Sequence, residues 1–79
     1  MWSEGLIQVP LKSGEKVNVR YWVKHFENPS EWGIDEGRIS KLNLKIDGRD
    51  ICNYDRGWDV RPETQEALAA FSILMGKYN

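Results

Sequence analysis

From Lys16 to Lys24 the chain alternates apolar and polar positions, with Trp22 the one exception. Val17, Val19, Tyr21 and Val23 share one parity, and Lys16, Asn18, Arg20, Trp22 and Lys24 share the other. A period of two marks a strand with one buried face, and β-branched and aromatic residues suit its pleated surface. A second such run spans Arg38 to Ile46, where Leu42, Leu44 and Ile46 alternate with Lys41, Asn43 and Lys45. Gly5 to Leu11 reads as a further strand, placed at an edge or ended by Pro10, which has no N–H for the ladder. Lys12-Ser13-Gly14-Glu15 then makes a hairpin turn. Asp47-Gly48 predicts a second hairpin that returns as a fourth strand over Arg49 to Tyr54. Two registers are open there. A two-residue loop pairs Leu44 with Ile51, whereas a bulge at Gly48 carries Cys52 and Tyr54 to the core and Ile51 to the other face. The second buries more apolar surface and is preferred.

The remaining pattern is of a different kind. Glu27 to Gly37 is long for a hairpin connection, and its Trp32 and Ile34 suggest a loop that packs back on the body. Asp55 to Asp59 reads as a compact strand-to-helix corner, with Gly57 at positive φ, aspartates bonding turn amides and Trp58 plugging the junction. A helix is predicted from Pro62 to Tyr78, with Pro62 at its first position. Ala67, Leu68, Phe71, Leu74, Met75 and Tyr78 form its apolar stripe. The expectation is one α+β domain over residues 1–79: a four-stranded antiparallel meander with one C-terminal helix packed on one face, in the order ββββα.

One helix covers one face. The other carries Lys16, Asn18, Arg20, Trp22, Lys24, Lys41, Asn43 and Lys45, continued by Phe26 and, in the preferred register, Ile51. Aromatic side chains on a wet face imply a covering loop, such as the one bearing Trp32, or association through that face.

Composition narrows the function classes. Eleven basic and twelve acidic side chains leave a net charge of −1, so there is no overall attraction to nucleic acid or anionic lipid. Cys52 is alone, which excludes an internal disulfide, and with the single His25 it cannot complete a structural zinc site. No cofactor is expected. No apolar run approaches the ~20 residues that span a bilayer, and the N-terminus has no signal-peptide pattern, so a cytoplasmic protein without membrane contact is expected.

Candidate chemistry is sparse. His25 titrates near neutrality, yet no Ser, Cys or carboxylate stands at a diagnostic spacing from it. Cys52 sits beside Ile51 in a strand and reads as a small buried hydrophobe. Glu31, Asp35 and Glu36 lack the spacing and central glycine of a calcium loop. Arg56 offers a planar fork, free for recognition or for pairing with an acid of the long loop.

Two stretches carry a resemblance. Lys24-His25-Phe26-Glu27, Pro29-Ser30, Gly33-Ile34 and Gly37-Arg38-Ile39-Ser40-Lys41-Leu42 form the first, and Asn53-Tyr54-Asp55-Arg56-Gly57-Trp58-Asp59 the second. Together they resemble a family of short uncharacterised proteins of Gram-positive bacteria and their phages, a domain of unknown function. The resemblance implies a bacterial or phage setting and assigns no functional residue.

The resulting expectation is a non-enzymatic module that binds a protein partner through the long loop, Arg56 and nearby aromatics, and can self-associate as a homodimer. Its candidate interaction surface comprises Trp22, Phe26, Trp32, Arg38, Lys41, Arg56 and Trp58. The alternative is a nucleic-acid-binding module using the basic sheet face, where Trp22 would stack bases and the lysines would neutralise phosphates.

Overall fold

A computed structural model describes all 79 residues. The chain forms β1 (Trp2–Pro10), β2 (Lys16–His25), β3 (Ile39–Ile46), β4 (Arg49–Asp55), β5 (Trp58–Val60) and α1 (Gln65–Tyr78), with a 3-10 turn at Ile34–Glu36. The strands make one antiparallel sheet in the order β1-β2-β3-β4-β5, a meander. The expected four strands are therefore five, because Trp58–Val60 folds back on β4, with Tyr54 opposite Trp58, and does not lead straight into the helix. The first strand also begins earlier than expected, at Trp2.

The alternation in β2 becomes the core face. Val19 and Val23 are fully enclosed with Val9, Leu42, Leu44, Cys52 and Leu74. The second hairpin combines features of the two expected registers. Asp47 (φ 50°) and Gly48 (φ 78°) make a two-residue turn with Ile46 opposite Arg49. Paired positive φ values give this turn the twist that strands need. The bulge lies further on: Lys45 pairs with Asp50 and Leu44 with Cys52, leaving Ile51 as the extra residue. Cys52 and Tyr54 reach the core as expected, but Ile51 packs against that core and does not join the open face.

At the next turn the positive φ belongs to Arg56 (φ 56°), not Gly57. Asp55 N–H bonds Gly57 O at 2.9 Å, and Arg56 N–H bonds Ser40 O at 2.9 Å, so backbone groups and not aspartate side chains close it. Trp58 does fill the sheet–helix junction, edge-on to Tyr54 and Phe71 with ring centroids 5.0 and 5.5 Å apart.

The helix starts at Gln65, three residues past the expected Pro62, because the Thr64 side chain accepts the Ala67 N–H and sets the cap there. Its buried line is Ala67, Ala70 and Leu74, flanked by half-buried Phe71, Met75 and Tyr78, whereas Leu68 is 50% exposed. The two alanines let the helix backbone approach the sheet, which turns Leu68 outward.

The long connection packs on the same side of the sheet as the helix. Ile34 is buried in the core, and Trp32 O accepts the Tyr54 hydroxyl at 2.9 Å. Asn79 ties this loop to the helix end: its amide accepts Ile39 N–H at 2.9 Å and donates to Ile34 O at 3.1 Å. A Cβ on Gly37 would strike that amide, and one on Gly33 would strike the Gly37 carbonyl, so both glycines are required by close approach.

Candidate functional site

With helix and loop on one side, the opposite face of the sheet is left open. Its side chains line up in rows across the strands, because antiparallel partners share a face and lie within contact of one another. One row is Trp2, Lys24, Lys41 and Asp55; the next is Glu4, Trp22, Asn43 and Asn53; the third is Leu6, Arg20, Lys45 and Asp50. Trp2 is 57% exposed and Leu6 56%, and Phe26, just past the end of β2, is 45% exposed. Between Trp2, Trp22, Lys41, Asn43, Asn53 and Asp55 lies a shallow hollow of about 140 Å³.

Every cation of these three rows already has a neighbour that moderates it. Lys24 Nζ stands 5.8 Å from the Trp2 ring centroid and 5.6 Å from that of Phe26, and the Arg20 guanidinium lies 5.7 Å from that of Trp22. Lys41 Nζ is 3.7 Å from Asp55 and Lys45 Nζ 3.5 Å from Asp50. Asn43 also donates to Asp50, at 3.1 Å. These ion pairs are solvent-exposed and add little stability, but they hold the side chains in a fixed pattern of charge and ring. The open face is thus amphipathic and charge-mixed.

The expected surface residues divide. Trp22, Phe26 and Lys41 lie on or beside this face, and Arg56 sits at its corner with Nε 3.7 Å from Asp55, its own neighbour and not an acid of the long loop. Trp32, Arg38 and Trp58 do not join them. Trp58 is between sheet and helix, Trp32 is on the loop across the sheet, and Arg38 Nε donates to Asn79 O at 3.2 Å. Sequence reasoning missed Trp2 and Leu6. They share the parity of Glu4 and Gln8, and extending the strand signal back to Trp2 would have placed both on the open face.

His25 has a partner that no spacing announced. The meeting of strand ends puts Ser3 Oγ 3.0 Å from its Nε2, and Tyr78 stacks on the ring at 4.6 Å. Burial, then the Met1 ammonium and Arg38, pull the imidazole below its usual value. The cluster ties β1 and the end of β2 to the end of α1. Cys52 is wholly enclosed, and burial pushes its thiol up to about 12, far from a reactive thiolate. Each buried side-chain polar atom is hydrogen-bonded, and no group of three His, Cys, Asp or Glu residues is placed to hold a metal. No helix is long and apolar enough to cross a membrane.

Over residues 1–79 the sequence matches the family described as a domain of unknown function, DUF7678. The chain belongs to this family. Neither a curated protein nor a solved structure matches it. Family membership agrees with the expectation of a domain of unknown function and attaches no activity to the open face.

Proposed function

We propose that this member of the family is a non-enzymatic recognition module that binds a polypeptide partner through the open face of its sheet. The observation that carries the reading is the exposure of Trp2, Leu6 and Phe26 around half-buried Trp22, on the face that neither helix nor loop covers. Aromatic anchors ringed by paired charges are the usual make-up of a protein-binding patch. The resemblance to proteins of Gram-positive bacteria and their phages supports a cytoplasmic bacterial or phage setting, with a host protein as the natural partner.

A second reading has one observation in its favour. Trp2, Trp22, Lys24, Arg20 and Lys41 alternate rings with cations, the make-up of a single-strand-binding surface. Asp50 and Asp55, each beside a lysine, count against it.

Affinity capture from nuclease-treated bacterial lysate, read by mass spectrometry, tests the first. The wild-type chain should retain a discrete partner that a folded Trp22→Ala/Phe26→Ala variant loses. Equal capture by both, or by neither, refutes it. Titration of a labelled oligo-dT tests the second: binding that weakens steeply with salt and fails in the same variant would favour nucleic acid.

A further inference from the structure

The sheet has two edges of unequal character. β5 contributes only three residues to one, whereas β1 presents nine at the other with no break in its pairing to β2. Which backbone groups β1 leaves free follows from the ladder's ends. His25 N–H donates to Met1 O at 2.9 Å, and the Met1 amino group returns a bond to His25 O at 3.0 Å. Beyond the other end, Leu11 N–H donates to Glu15 O at 2.8 Å. In an antiparallel ladder such bonded pairs recur at every second residue. Ser3, Gly5, Ile7 and Val9 therefore bond to β2, while Trp2, Glu4, Leu6 and Gln8 aim both N–H and C=O outward, and Pro10 adds a carbonyl.

Proteins normally blunt such an edge with a lysine, a bulge, a mid-strand proline or brevity. β1 has none of these: its one charge is Glu4 and its proline stands at the end. We infer that the free edge of β1 pairs antiparallel with β1 of a second copy, joining two sheets into one of ten strands.

The sequence of β1 favours its own copy as the occupant. Full overlap of Trp2–Pro10 with itself places the two-fold axis at Leu6, so that Leu6 faces Leu6, Glu4 faces Gln8 and Trp2 faces Pro10. In this register outward-facing residues pair only with outward-facing residues, giving about eight main-chain hydrogen bonds. No like charges meet, and the carboxylate of Glu4 lies opposite an amide. A slip that set Glu4 against Glu4 would oppose like charges and shorten the overlap. The pairing also sets Leu6 beside Leu6 at the centre of the seam, so that each shields one flank of a side chain that is 56% exposed, while both stay on the open face. Because paired residues share a face, the helices lie on one side of the joined sheet and the two open faces become continuous. The inference stands apart from the binding role given to that face, since it rests on the edge.

Sedimentation equilibrium of the whole chain from roughly 1 to 300 μM, with amide exchange followed by NMR, tests it. The wild type should form a dimer. As concentration rises, the amides of Glu4, Leu6 and Gln8 should become slow to exchange, while those of Ser3, Gly5 and Ile7 stay slow throughout. Leu6→Pro removes an outward N–H and no internal bond, and should weaken dimerisation by about 100-fold or more while the fold persists. Leu6→Lys, which keeps the backbone and sets two ammonium groups face to face, should weaken dimerisation by about 5-fold, more at low salt, and stands in if the proline variant does not fold. A wild type that stays monomeric, a dimer whose Glu4, Leu6 and Gln8 amides exchange as in the monomer, or a Leu6→Lys chain that dimerises as tightly as the wild type would each overturn the inference.

Discussion

His25 shows how a single side chain links the chain's ends to its stability. Its ring is held by Ser3 and Tyr78, and burial lowers its affinity for a proton. The unfolded chain, with an ordinary value of 6.5, therefore binds more protons than the folded one as the pH falls. The sign follows from linkage: this contribution is complete above the unfolded value and is lost as pH falls through the lowered one. Melting temperature should thus drop between about pH 7 and pH 5, and by less in His25→Gln, whose amide cannot titrate in this range. Equal slopes for both proteins would show that His25 is not responsible. At the same scale Asn79 holds three segments together, bonding Ile34 O, Ile39 N–H and, through its own N–H, Met75 O at 3.1 Å. Nothing in the pattern of apolar positions foreshadowed either residue's partners, since hydrogen bonds between distant segments have no period.

Among the elements, α1 separates periodicity from orientation. Helical spacing gave the stripe Ala67, Leu68, Phe71, Leu74, Met75 and Tyr78, and five of its six positions face the sheet. Leu68 does not, because contact is centred on the line through Ala67, Ala70 and Leu74, where small side chains permit close approach. Leu74→Ala should cost about 2–5 kcal/mol in urea unfolding, as deletion of an enclosed leucine does. Leu68→Ala should stay within about 0.5–1 kcal/mol. Comparable losses at both positions would place the helix in a different rotation. The β3–β4 hairpin teaches a related lesson. Asp47-Gly48 identified the turn, but the bulge at Ile51 comes from packing further along, where Cys52 and Tyr54 have to reach the core opposite Leu44 and Leu42.

For the whole molecule, the decisive fact is the side of the sheet on which the long connection lies. Ile34 is 2% exposed and belongs to the same core as the helix, so the loop is part of the cooperative unit. Ile34→Ala should lower global stability by about 2–4 kcal/mol and keep a single unfolding transition in circular dichroism and tryptophan fluorescence. A separate early transition for the loop would contradict this. In a chain of 79 residues the enclosed set is small, so committing the loop to it leaves nothing to shield Trp2, Leu6 and Phe26. The open face is a consequence of that choice and the proposed partner binding arises from it, whereas the free edge of β1 comes from the meander order, which leaves the first strand outermost.

The class of fold, the meander order, the parity of β2 and β3 and the placing of Lys24, Lys41 and Lys45 with Trp22 on one face followed from the sequence alone. Those properties depend on neighbours along the chain: alternation of side chains, turn chemistry at Asp47-Gly48 and helical spacing near the C-terminus. The fifth strand, the rotation of α1, the bulge at Ile51 and the meeting of Ser3 with His25 required the tertiary structure. So did the sorting of the expected surface residues, which kept Trp22, Phe26 and Lys41 together and sent Trp58 into the junction and Trp32, itself 59% exposed, to the helix side of the sheet. Each of these depends on which segments compete for one small core, and that competition is settled by packing between residues far apart in the chain.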